Sequence, residues 1–422
     1  LSEKLADKSN NSVVKDGQPG VATAATEASP PDEFELVIER GEARPINLES
    51  IEKGLTALWQ AAAKPRPGED EQPVTRACVF NLVISVEGEE ALAEVTETIA
   101  QITWSYPCRA IVLVLKPEET REEVSAYISA HCQLPSGGKK VCCEQITVVA
   151  SGNATEGMWS VVLPLLVPDL PVILWWPGDP VLHGTLFEHL LATADRLIVD
   201  SRSFANPVFT FSRLAELSSS RYSEVAVSDL CWSRLNSWRN LIAQFFDQPQ
   251  YLPYLQQVDR VEVHYEAPED NTHPNFSEAL LLIGWLARQL GWQPAFSLQR
   301  KGNNATLILN RQGVPLTVVL HGHNDRVDEL GGITQVNLIA SYPGGDVDEP
   351  RLASFTVAVS DDYEHAMTFV EEDETPLVSR NFLFPRLDRT ELLREDLAVV
   401  GRDRVFEASL DLAGKFNPTV KS

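Results

Sequence analysis

Basic residues are in short supply: 35 Lys and Arg stand against 60 Asp and Glu in 422 residues, a net charge of −25. The imbalance argues against nucleic acid and anionic membrane as partners, because both carry the same sign as the chain. Cysteine is scarce as well. Six cysteines without regular spacing, and no signal-peptide pattern, describe no disulfide framework and predict reduced thiols in a cytoplasmic protein. Long uninterrupted hydrophobic runs are also missing. Met158 to Pro177 is nearly apolar and about the ~20 residues of a membrane span, but Pro164, Pro168, Pro171 and Asp169 interrupt it. A buried strand fits it better.

The signatures of nucleotide and nucleophile chemistry are missing too. No G-x-G-x-x-G follows the first predicted strand, and no G-x-x-x-x-G-K-[ST] occurs, so nothing supplies the loops that cradle phosphate and no cofactor is assigned. Gly137-Gly138-Lys139-Lys140 precedes a strand and follows none. No G-x-S-x-G elbow positions a nucleophile.

The chain does contain a regular alternation of strand and helix. Strands are predicted at Ala77–Val86, Arg109–Leu115, Glu144–Ala150, Val172–Trp176 and Arg196–Asp200. Helices are predicted at Leu48–Ala63, Glu89–Thr103, Pro117–Ala130, Gly157–Leu166 and Thr185–Thr193. The pattern implies an α/β, Rossmann-like domain with a mostly parallel sheet over residues 45–250, preceded by a disordered tail and lead-in over 1–44. Asp229–Phe246 carries the strongest helical period, with Trp232, Leu235, Trp238, Leu241, Ile242 and Phe245 on one stripe. After a crossover at Asp247–Leu255, a strand at Val258–Tyr265 and a helix at Phe276–Leu290 lead into four further strands. They predict an α+β domain with a largely antiparallel sheet over 251–422. The acidic run from Asp361 to Glu374 reads as a solvated face, and Thr390–Val399 as a last helix before an extended end.

Val172-Ile173-Leu174-Trp175-Trp176, closed by Pro177-Gly178, reads as a central strand buried on both faces. Ligands and partners gather at the carboxyl ends of such strands, which directs attention to Trp175, Trp176, Asp179 and His183. Alternation lets only one tryptophan face a given side. Arg234 and Arg239 are not explained by burial; a structural pairing with Asp179 or Asp200 is the simplest role for them, contact with a partner or anion the other.

Two metal arrangements can be drawn. His321-Gly322-His323-Asn324-Asp325 places two imidazoles on one face of a strand, but the sequence names no third ligand, so it is assigned as a polar turn. His131, Cys132, Cys142 and Cys143 include adjacent cysteines that cannot easily converge on one tetrahedral centre. No metal is assigned.

PLLVPDLPVILWWPGDP, residues 164–180, resembles the signature of the glucose-6-phosphate dehydrogenase assembly proteins, the OpcA family of cyanobacteria and actinobacteria. Asp229-Leu230-Cys231-Trp232-Ser233-Arg234-Leu235-Asn236-Ser237-Trp238-Arg239 is similar to that family's DL-x-W-[ST]-RL-x-x-WR helix. The resemblance implies a non-catalytic allosteric activator that binds glucose-6-phosphate dehydrogenase in the oxidative pentose phosphate pathway and so supports NADPH supply. Trp175, Trp176, Asp179, Arg234 and Arg239 are its partner-binding candidates. In the cyanobacterial branch the resemblance also implies thioredoxin as a redox partner; any thiol switch is expected among Cys78, Cys108, Cys132, Cys142, Cys143 and Cys231, foremost Cys132 with Cys142 or Cys143 across the Pro-Ser-Gly-Gly loop between them, and six ordinary reduced thiols are the simpler expectation. The competing expectation is a sugar-phosphate or nucleotide-binding enzyme using Arg234, Arg239 and His183 as anion ligands.

Overall fold

The computed structural model describes residues 37–40, 44–45, 51–57, 74–76, 78–103, 105–133, 140–182, 184–217, 220–267, 275–324, 331–342, 351–360, 362 and 364–416. The tail expected at the N-terminus lies outside them up to residue 36, as do His183 and Asp325. Strands β1 (Val37–Arg40) and β2 (Arg44–Pro45), helix α1 (residues 51–57) and β3 (Val74–Arg76) come first. They lead to β4 (Phe80–Glu87), α2 (Glu90–Ile102), β5 (Cys108–Lys116), β6 (Glu123–Gln133) and β7 (Lys140–Ser151). Helical turns at Gly152–Gly157, α3 (Trp159–Val162) and Leu163–Leu165 carry the chain to β8 (Val172–Trp176). Then follow α4 (Thr185–Leu191), β9 (Arg196–Val199), α5 (Pro207–Leu217) and β10 (Ala226–Asp229).

In space the strands run β7-β5-β4-β8-β9-β10, all parallel. Read from the first strand, β4, this is the 3-2-1-4-5-6 order of a doubly wound Rossmann sheet, with its switch point between β4 and β8. Alternate side chains go to opposite faces. Leu82, Ile84, Val112, Val114, Trp175 and Ile198 pack with α2, while Val83, Ile111, Leu113, Leu174, Trp176 and Leu197 pack with α3, α4 and α5.

Helices α6 (Leu230–Arg234), α7 (Asn236–Phe245) and α8 (Leu252–Leu255) bridge to the second sheet. Its elements are β11 (Val258–Glu266), α9 (Ser277–Leu290), β12 (Gln293–Pro294), β13 (Gln299–Lys301), β14 (Asn304–Arg311) and β15 (Val314–His323). They continue with β16 (Ile333–Tyr342), β17 (Arg351–Val359), β18 (His365–Glu372) and β19 (Thr375–Leu383). The order is β12-β14-β15-β11-β16-β17-β18-β19, with β13 beside β14; β11 and β15 are parallel and the other pairs antiparallel. Val261, Val263, Val318, Leu320, Val336 and Leu338 are buried in the same core as α9, and the intervening Glu262, His264, His321 and Asn337 are only half-buried.

Two C-terminal helices, α10 (Arg389–Ala398) and α11 (Arg404–Gly414), return to the first sheet. Leu392 and Leu393 of α10 join Leu82, Ile99, Trp175 and Leu230, filling the face beside α2. Helix α11 lies against α5 and α9 at glycine contacts: a Cβ on Gly414 would sit 2.7 Å from Ser212 Cα, and one on Gly284 would overlap the Ser409 carbonyl oxygen. The described residues from Val37 to Phe416 therefore form one compact unit in which Val83 of the first sheet and Val261 of the second share a continuous core.

Four local expectations are corrected. Residues 123–133 are an antiparallel strand between β1 and β7, not a helix, because Val124, Ala126, Ile128 and Ala130 repeat every two residues, with Ala126 and Ala130 buried and their neighbours Val124 and Ile128 partly so. The helix expected over Asp229–Phe246 breaks at Leu235, whose N–H bonds to both Cys231 and Ser233 carbonyls in a tightened turn. The acidic run contains β18, since Ala366, Thr368 and Val370 alternate into the core; its carboxylates end that strand and form the turn. The expected extended end contains α11, opened by Asp403, which accepts from Val405 and Phe406 N–H.

Candidate functional site

The switch point is the natural place for a ligand, so its two loops come first. Strand β4 ends in Glu87-Gly88-Glu89-Glu90, and α2 begins at Glu90. Gly88 has φ +74°, the left-handed turn such loops use, but the side chains around it are carboxylates. Glu89 receives Lys116 from the end of β5 at 2.8 Å. A helix N-terminus favours anions, and here the protein supplies its own; a dinucleotide's pyrophosphate would meet three acidic residues where a glycine-rich turn normally offers N–H groups.

On the other side of the switch point, Trp175 is 0% exposed and Trp176 7% exposed. They sit on opposite faces of the sheet, Trp175 with α2 and α10, Trp176 edge-on to Phe187 at 5.2 Å. Both are core residues. Asp179, beyond the turn, accepts from the Ala205 N–H at 2.9 Å; burial raises its pKa against the effect of that hydrogen bond.

The 228–239 segment lies at the end of β10. Asp229 caps α6, accepting from Cys231 N–H at 2.9 Å and from Ser201 N–H at 3.0 Å. It is fully enclosed, and burial raises its pKa from 3.8 to about 7, with neighbouring Asp200 adding to the rise. Arg234 clasps Asp200 through both terminal nitrogens at 2.7 and 3.0 Å, the fork geometry that makes arginine selective for carboxylates. Burial alone would raise Asp200, but Arg234, Arg389 and Arg202 outweigh it and hold the carboxyl low. Of the two partners weighed for Arg234, Asp200 is the one found. Arg239 lies over the Trp232 ring at 3.4 Å and reaches Asn236; burial lowers its pKa to about 10.

A cavity of about 170 Å³ opens between the two sheets, lined among others by Arg202, Ser233, Arg234, Trp238, Glu278 and Arg386. Three arginines invite an anion, yet Arg202 pairs with Glu278 at 2.7 Å and Arg234 with Asp200. No histidine or cysteine lines it among the described residues, so the serines there have no imidazole beside them. Two of its three arginines are thus already held by carboxylates, and no motif in the chain points to Arg202 or Glu278, which lie far apart along it.

Two other clusters have donor sets for a metal. Asp200, Asp229 and Cys231 are buried, but both Asp200 oxygens serve Arg234, Asp229 Oδ1 serves the Ser201 and Cys231 N–H groups, and burial pushes the Cys231 thiol well up. Glu262, His264 and His321 are half-buried on the second sheet, with His323 beside them. Parallel pairing of β11 and β15 sets His264 opposite His321, with ring centroids 4.7 Å apart. His264 Nδ1 and His323 Nε2 are 2.7 Å apart. Burial, then His321 and His323, lower the His264 pKa to about 4.

Cysteine chemistry differs from the expectation. Cys142 is disulfide-bonded, so the reading of six reduced thiols does not hold, while Cys78, Cys108, Cys143 and Cys231 are free. The β6 residue directly opposite Cys142 is Cys132.

Known proteins resemble this chain along both sheets. A family model described as the glucose-6-phosphate dehydrogenase subunit N-terminal domain matches residues 99–216, and one described as the C-terminal domain matches residues 225–410. A Synechocystis sp. protein, whose name ascribes it to the OxPP cycle as OpcA, is 35% identical over 202 residues, covering 47% of this chain and 40% of that one. A Nostoc punctiforme protein of the same name is 37% identical over 205 residues, covering 48% and 42%. The chain thus spans about two fifths of the length of these relatives. Among solved structures, a 3-ketoreductase from Actinomadura kijaniata gives a TM-score of 0.44 at 10% identity over 81% of this chain and 97% of that one. Biliverdin reductase from Synechocystis sp. gives 0.41 at 12% identity over 80% and 98%. Neither likeness extends a cofactor or an activity to this chain. Matched by two models of one family over residues 99–216 and 225–410, and by curated relatives of the same name, the chain belongs to the OpcA family.

Proposed function

We propose that this chain is a non-catalytic assembly factor that binds glucose-6-phosphate dehydrogenase and favours its active oligomer, as an allosteric activator in the oxidative pentose phosphate pathway. The observation that carries the reading is the acidic turn at the switch point. A Rossmann sheet whose phosphate turn bears Glu87, Glu89 and Glu90 is poorly suited to hold a dinucleotide, and in the cavity Arg202 and Arg234 are already paired with Glu278 and Asp200. The description of the matched family, which names glucose-6-phosphate dehydrogenase, supports that enzyme as the partner. Without catalytic groups, activation must come from tighter binding to the active state than to the inactive one, with coupling of typically ~1–3 kcal/mol. Of the partner-binding candidates, Asp179, Arg234 and Arg239 keep partial exposure; with Arg234 held by Asp200, Asp179 and Arg239 would reach the dehydrogenase, and Trp175 and Trp176 would act through the core.

The test mixes the purified chain with the dehydrogenase of the same cell and follows co-elution and activity at limiting glucose 6-phosphate. Complex formation with raised activity is expected, and by reciprocity glucose 6-phosphate should tighten the complex by the factor by which the complex tightens it. No complex and no activation, with turnover of a sugar phosphate by this chain alone, would put the enzyme reading in its place.

A further inference from the structure

We propose that the open face of the second sheet carries a binding site for a divalent transition-metal ion of the zinc class, held by Glu262, His264 and His321 and oriented by His323. The donor atoms of the first three lie within 4.8 Å of one another. Around a tetrahedral ion with bonds of about 2.0–2.1 Å, ligand atoms stand roughly 3.3 Å apart, so small rotations of half-buried side chains suffice to close the site. Two imidazoles and one carboxylate are a donor set for zinc and its neighbours, not for calcium or magnesium, and leave a fourth position for water.

The backbone explains why these groups meet. Glu262 and His264 are two apart on β11 and share one face, and the parallel register sets His321 beside His264. One residue pair further along the same face, His323 meets His264 Nδ1 at 2.7 Å. When His264 donates Nδ1–H to His323, its Nε2 keeps a lone pair for the ion. A ligating histidine usually has its second nitrogen fixed in this way. The competing contact is Arg260 to Glu262 at 2.7 Å, a partly exposed pair whose loss costs little.

The experiment uses the full, untagged chain stripped with a chelator and titrated with Co²⁺, followed by visible absorption, and with Zn²⁺, followed by melting temperature. One Co²⁺ per chain with the absorption of a low-coordinate site is expected, and Zn²⁺ should raise the melting temperature because it binds only the folded state. His264→Ala and His321→Ala should each remove the absorption. His323→Ala should weaken binding roughly 10–100-fold, as loss of an orienting partner does. His365→Ala, which alters the separate His365–Asp362 pair, should change nothing. Circular dichroism confirms that each variant is folded. A folded His264→Ala/His321→Ala double variant that takes up Co²⁺ as the parent does, or a parent that takes up none, overturns the assignment.

Discussion

The guanidinium of Arg239 rests 3.4 Å from the centre of the Trp232 ring, and the same indole donates through Nε1 to Asp403 at 2.8 Å. One aromatic side chain on α6 thus ties α7 to the start of α11. Cation–π contact of a half-desolvated arginine contributes ~1–2 kcal/mol, so Arg239→Ala should lower the unfolding free energy by about that much in urea. Arg239→Lys should recover only part of the loss, since an ammonium cannot lie flat over the ring. Full stability in the alanine variant would show that the stacking contributes nothing.

Trp175 should behave as core. It is fully buried between the sheet, α2 and α10, and its indole N–H has no hydrogen-bond partner. Trp175→Ala should cost ~3–5 kcal/mol by denaturant unfolding, from lost burial and the cavity left behind. Trp175→Phe removes the unsatisfied N–H with less volume, and should cost clearly less.

Asp229 supplies a pH signature. Its pKa is raised in the folded state, from 3.8 to about 7, so the folded chain keeps a proton that the unfolded chain releases. The stability this group contributes is therefore complete below about pH 4 and is lost as pH rises toward and through 7. Asp229→Asn retains an acceptor for Ser201 and Cys231 N–H but cannot ionise. The difference in melting temperature, variant minus wild type, should grow in the variant's favour between about pH 4 and 7; a constant difference would refute the shift.

Cys142 should be distinguishable from the other described cysteines chemically. Alkylation of the denatured, unreduced chain should label Cys78, Cys108, Cys143 and Cys231 and spare Cys142, and prior treatment with reduced thioredoxin should expose it. Mass-spectrometric mapping reads both states. Labelling of Cys142 without reduction would remove any basis for a thiol switch on β7.

Much of this was legible in the chain itself because local pattern decided it. The Val172–Trp176 run, bounded by Pro171 and Pro177, could hardly be other than a central strand, and the apolar stripe from Trp232 to Phe245 could hardly be other than helix. Patterns that compete locally were harder. The acidic opening at Glu118-Glu119 mimics a helix start, whereas the period-two repeat from Val124 onward, pairing with β7, decides the strand. Contacts made by register are not written in any one segment. His264 and His323 stand 59 positions apart, and only the parallel pairing of β11 with β15 brings them together. Likewise, Asp200 finds Arg234 because adjacent parallel strands β9 and β10 end side by side.

Helices α10 and α11 have a consequence for how the protein comes into being. The face of the first sheet beside α2 and the flanks of α5 and α9 are closed by residues 389–416, which the ribosome makes after every strand of both sheets. Throughout synthesis, Leu82, Trp175, Phe211 and Leu281 belong to cores whose final cover has not yet emerged. A nascent chain in that condition exposes apolar surface until residues 389–416 are added, so truncation upstream of residue 389 is expected to leave an aggregation-prone fragment and not a working half.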